Sequence, residues 1–96
     1  MSCEQARTAV LKRIHEEGFK DDEVAILDSE TIEKPYGWIF FFNSRRYVET
    51  GNMMHSFFGY GPVVVIAKTG EIIMLTSRAP TEGYIKELED ERHLPH

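Results

Sequence analysis

Two apolar blocks in the middle of the chain alternate at the period of extended backbone. Along residues 38–43, Trp38, Phe40 and Phe42 take one face and Ile39 and Phe41 the other. Val63, Val64, Val65 and Ile66 form a second block with no polar position. Both predict strands. Lys68-Thr69-Gly70 is a tight turn in which Gly70 can take positive φ, and residues 71–76 return from it as a further strand. Residues 24–32 alternate less cleanly, with Val24, Ile26 and Asp28 against Ala25, Leu27 and Ser29. They predict the first strand, closed by the turn Glu33-Lys34-Pro35, because Pro35 has no N–H to give a ladder.

Helical spacing brackets these strands. In residues 3–17, Cys3, Ala6, Val10 and Ile14 recur three and four apart, with Leu11 beside them. Ser2 precedes the stripe as an N-cap and Gly18 follows it as a C-terminal stop. Residues 80–91 repeat the spacing with Tyr84, Ile85 and Leu88. Pro80 suits a first helical turn, while Gly83 weakens the helix by about 1 kcal/mol relative to alanine. Glu87, Glu89, Asp90 and Glu91 read as a solvated charge run. Acid at a helix C-terminus opposes the macrodipole, so that end is expected to fray into a loose tail at 93–96.

The order is helix, two strands, a long connection, two strands, helix. It predicts an α+β fold in one domain over residues 1–96: an N-terminal helix packed on a four-stranded, mainly antiparallel sheet, with a short C-terminal helix. Strands that are apolar on both sides need cover on both, whereas an antiparallel sheet usually keeps one wet face. The N-terminal helix is one cover. The C-terminal helix, the segment 44–60 or a second copy of the chain is the other, which leaves a homodimer open.

Composition narrows the partners. The chain has 96 residues, of which 42% are hydrophobic, so it is not a mainly disordered segment. Sixteen acidic against eleven basic residues give a net charge of −5, which argues against nucleic acid as the partner. One cysteine, Cys3, rules out an internal disulfide and fits a reducing compartment. The N-terminus shows no basic stretch leading into an apolar one, and no apolar run reaches the roughly 18 residues that span a bilayer. A cytoplasmic protein without membrane contact is expected.

Candidate chemistry is sparse. Cys3 has no histidine to pair with, and His15, His55, His93 and His96 serve no visible nucleophile. His93 and His96 stand three apart, a metal-ligand spacing, but on a terminal tail. Gly59-Tyr60-Gly61-Pro62 leads into a strand, whereas a phosphate loop needs a helix after it. No catalytic residue, metal or cofactor is expected. The long connection is more informative. Met53, Met54, Phe57, Phe58 and Tyr60 crowd a segment that would normally be polar, next to Arg45, Arg46 and Tyr47. Either these eight residues form a partner-binding face, for which Met, Arg and aromatics are suited, or the segment folds down as core cover.

With these residues in hand, the chain resembles the immunity protein thirty-five family, which includes the YrhB-type domains. The resemblance rests on Tyr36-Gly37-Trp38-Ile39-Phe40-Phe41-Phe42, Tyr47-Val48-Glu49-Thr50-Gly51, Gly59 with Gly61-Pro62-Val63-Val64-Val65, Thr69-Gly70-Glu71-Ile72, and Ala79-Pro80 with Tyr84, Ile85 and Glu89. It runs from about Ala6 to Glu89. Tyr60, Ala67 and the apolar stretch 53–58 depart from the pattern, which places partner-specific character there. The resemblance implies a non-enzymatic cytoplasmic protein that binds and neutralises a cognate toxin of a polymorphic toxin system. It also implies an alternative, a chaperone-like holdase for unfolded clients.

Overall fold

The computed structural model describes residues 1–19, 23–52, 54, 60–76 and 81–95. Helix α1 runs over Cys3–Glu16, as its apolar spacing predicts. Ser2 and Gln5 form a reciprocal capping box. The Gln5 N–H donates to Ser2 Oγ at 3.1 Å, and the Ser2 N–H donates to Gln5 Oε1 at 2.8 Å. The helix stops before Gly18, which takes a φ of +105°.

The predicted first strand is two strands. Strand β1 is Val24–Ile26, a 3-10 turn occupies Asp28–Glu30, and β2 is Ile32–Lys34. The break falls where the alternation was weakest. There Asp28 pairs with Arg7 of α1 at 2.8 Å. The predicted second strand also divides, at Phe41, into β3 (Gly37–Phe40) and β4 (Phe42–Ser44). The two halves pair differently: β1 with β4 in a small antiparallel sheet, and β2-β3-β5-β6 in the main one. Strand β5 covers Tyr60–Ile66 and β6 covers Ile72–Thr76. Every pairing is antiparallel. The expected turn after Ile66 is present, with Gly70 at φ +76° and its N–H donating to the Ile66 carbonyl at 2.7 Å.

Gly37 is required by packing. It sits at φ +155°, and a Cβ there would lie 1.9 Å from the Val65 carbonyl oxygen of the neighbouring strand. Pro62 is tolerated inside β5 because the ladder to β6 is irregular between Tyr60 and Val63.

The predicted two-sided alternation sorts the core into two clusters. Phe40, Phe42, Val63 and Val65 face α1 and pack on Ala6, Val10 and Ile14, joined by Val24 and Ile26 of the small sheet. Ile39, Val64, Ile66 and Leu75 face the other way and pack on Ile85 and Leu88. Those two residues belong to helix α3, Thr81–Glu91. Of the three candidate covers for the second face, the C-terminal helix supplies cover among the described residues, while residues 53 and 55–59 of the segment 44–60 lie outside them. Pro80, expected in the first turn of this helix, lies outside the described residues.

The acidic end of α3 does not fray into a loose tail. His93 takes a left-handed φ of 56°, and the Leu94 N–H reaches back to the Glu89 carbonyl at 2.8 Å. This is a Schellman closure, and Leu94 completes it by packing on the second cluster. Arg92 adds an ion pair to Glu71 at 2.8 Å.

Candidate partner-binding surface

The connection from β4 to β5 begins with a short helix rather than a loop. Helix α2 spans Arg45–Thr50 and ends at Gly51, which takes the left-handed conformation at φ 72°. Thr50 Oγ1 donates to the Arg46 carbonyl at 2.7 Å and accepts from the Asn52 N–H at 3.2 Å. Asn52 Oδ1 in turn accepts from the Met54 N–H at 3.0 Å. These bonds fix the backbone while leaving the side chains outside. Met54 is 87% exposed and Val48 46%. Arg45 and Arg46 are exposed and Tyr47 is half-buried. No residue of 45–52, nor Met54, belongs to either core cluster.

Of the eight residues the sequence nominates, Arg45, Arg46 and Tyr47 therefore share α2, and Met54 follows closely. Met53, Phe57 and Phe58 lie outside the described residues, as does the side chain of Tyr60. Among the chemical candidates, Cys3 is exposed at the start of α1, His15 is exposed on its polar side, and His93 sits in the turn after α3. His55 and His96 are outside the described residues. Among those described, no three His, Cys, Asp or Glu side chains are grouped to hold a metal ion.

An open groove of about 640 Å³ runs between α1 and β1. Its walls carry Arg7, Lys12 and His15 from α1, Val24 and Ile26 from β1, and Arg45 from the start of α2. Arg45 reaches across β1, and its Nη2 donates to the Val24 carbonyl at 3.3 Å. Arg7 makes a two-pronged pair with Asp28 at 2.8 and 3.2 Å, and that hydrogen bonding raises its pKa. No carboxylate stands among the described lining residues. A chain of net charge −5 thus gathers basic side chains in one groove.

The reading of 87–91 as a wholly solvated run is corrected by Glu89, whose side chain is 3% exposed. Its Oε2 accepts from the Tyr36 hydroxyl at 2.7 Å and faces Lys34 Nζ at 3.2 Å. Tyr36 is buried, and its pKa is raised first by that burial, then by the hydrogen bond to Glu89 and the carboxylate's charge. A carboxylate on α3 is thereby clipped to β2 and to the turn after it. The signal was in the spacing: Glu89 stands four residues after Ile85, on the apolar stripe rather than off it.

Fold and surface together define the class: a small α+β domain with a helix on each face of its main sheet and open grooves at its surface. The chain belongs to the Immunity protein 35 family, whose model matches residues 4–87. That membership supports an immunity-protein role in general. The chain is also similar to the "Uncharacterized protein YrhB" of Escherichia coli (strain K12), at 34% identity over 53 residues. The match covers 55% of this chain and 56% of that protein, so it spans about half the length of the relative. No solved structure gives a significant match. Among the described residues, no helix is long and apolar enough to cross a membrane.

Proposed function

We propose that this chain is a non-enzymatic immunity protein that acts in the cytoplasm and neutralises a cognate toxin of a polymorphic toxin system by stoichiometric binding. The contact face is the connection after β4: Arg45, Arg46 and Tyr47 on α2, with Met54 and the apolar residues that follow in sequence. The observation that carries this assignment is the exposure of Met54. Both faces of the main sheet have helical cover and neither core cluster includes residues 45–52 or Met54, yet a hydrogen bond holds the Met54 backbone with its large apolar side chain in water. Met, Arg and Tyr are the residue types enriched where protein surfaces meet. The net charge of −5 favours the approach of a basic toxin.

The test is co-expression with the product of a neighbouring gene that arrests growth when expressed alone. The chain restores growth, and the two proteins elute together in equal proportion. Absence of both protection and complex rejects the assignment. The same exposed Met54 and Val48 support a second reading, a holdase that shields unfolded clients. Suppression of aggregation of an unrelated denatured enzyme separates the two, because a dedicated immunity protein gives no such protection.

A further inference from the structure

The groove between α1 and β1 carries a more specific prediction about what is bound. Among the described residues, strand β1 has β4 on one side only, since the small sheet has two strands. Ala25 lies opposite Asn43, and the Leu27 N–H donates to the Phe41 carbonyl at 2.8 Å. In an antiparallel ladder, residues two apart direct their backbone groups to the same side. Ala25 and Leu27 therefore face β4, while Val24 and Ile26 turn their N–H and C=O groups away from it, into the groove. The Val24 carbonyl marks that direction, because it receives Arg45, a residue of the groove wall. Across from this edge stands Lys12 of α1, exposed, with Arg7 and His15 on the same wall.

We propose that the open edge of β1 and the exposed Lys12 beside it receive an extended acidic segment of the partner, which adds to the small sheet as a third strand. With the Val24 carbonyl held by Arg45, the edge offers the Val24 N–H and both backbone groups of Ile26 to an added strand, whose alternate side chains face one wall. Carboxylates at every second position of the incoming strand would then face Lys12 and its neighbours. The naming of the partner as a toxin rests on the proposed function; the chemistry of the groove does not. The two charge signals act over different ranges. The acidic body sets the long-range approach, and the groove selects the segment that docks within a Debye length of it, about 8 Å at physiological salt.

The experiment titrates the full chain with a synthetic ten-residue peptide of alternating glutamate and valine, followed by amide NMR. A lysine–valine peptide is the control. Binding of the acidic peptide shifts the amides of Val24, Ile26 and Lys12 and slows hydrogen exchange at Ile26. Lys12→Glu weakens it about tenfold at low salt, and the loss shrinks as salt rises. Lys86→Glu, on α3, leaves binding unchanged. Both positions are exposed, and circular dichroism verifies that the variants fold. Equal binding of the lysine–valine peptide, shifts confined to another surface, or full affinity in Lys12→Glu overturns the proposal. A dimer induced in sedimentation by the peptide-free chain, with the same shifts, identifies a second copy as the occupant and overturns it equally. The toxin arm separates the two claims. If wild type and Lys12→Glu protect equally, the groove is rejected and the immunity role stands. If wild type gives no protection but the acidic peptide binds at Ile26, the immunity role is rejected and the groove stands.

Discussion

Replacing Tyr36 by phenylalanine isolates one hydrogen bond beneath α3. The ring stays buried against Ile39 and Val64, so no apolar contact is lost. What disappears is the hydroxyl that donates to Glu89 Oε2 at 2.7 Å, at a carboxylate only 3% exposed. A hydrogen bond to a charged group contributes about 1.5–3 kcal/mol. Lys34, at 3.2 Å, still faces the carboxylate and keeps the loss near the lower half of that range, about 2 kcal/mol. For a domain of this size that lowers Tm by roughly 8–16 °C. The pH dependence adds a signature that mere loss of packing would not give. The Tyr36 phenol is held above its ordinary value of 10.0, so the folded state keeps a proton that the unfolded chain releases. The stability contributed by this group is complete below pH 10 and is lost as pH rises from there toward the folded value. The wild type therefore converges on Tyr36→Phe in alkali. Thermal unfolding followed by circular dichroism at pH 7 and at pH 10.5–11 measures both effects. A difference below about 0.5 kcal/mol at pH 7, or one that stays constant into alkali, would refute the role given to this hydrogen bond.

Three further outcomes follow from the geometry. Gly37→Ala destabilises by more than about 3 kcal/mol and yields little folded protein in solubility and circular dichroism assays, because its Cβ meets the Val65 carbonyl at 1.9 Å. Ser2→Ala removes half of the capping box and costs about 1 kcal/mol, read as a drop in Tm of roughly 4–8 °C. Met54→Asp leaves Tm within about 2 °C of wild type, since the side chain is 87% exposed, while under the proposed function it weakens the complex with the cognate toxin by about tenfold in calorimetry.

What the sequence made legible follows the physics of short range. The alternation of Trp38, Phe40 and Phe42 against Ile39 and Phe41 predicted two faces, and the two core clusters divide along that line. The capping residues Ser2 and Gly18 placed both ends of α1. The bend at Phe41 was invisible because the parity of side chains continues straight through it, from Ile39 to Phe41 on one side and Phe40 to Phe42 on the other. Glu89 was hidden by its charged neighbours, although its distance from Ile85 put it on the buried stripe. The groove was beyond any local pattern. No motif links Arg7, Lys12 and His15 of α1 to Arg45 at the start of α2. They line one groove only because β1 pairs with β4, twenty residues later, and carries the start of α2 alongside.

The two helical covers also bear on how this fold can diverge. Both cores close without any residue of 45–52 or Met54. Substitutions of its exposed side chains, such as Arg46, Val48 and Met54, are therefore felt by whatever they touch and hardly by the stability of the domain, while Gly51 keeps its left-handed turn. Lineages that face a changing opponent can rewrite this stretch repeatedly while Gly37, Tyr36 and Glu89 stay fixed. Comparison of descendants should then show rapid drift on α2 and the residues after it, set against a nearly constant frame.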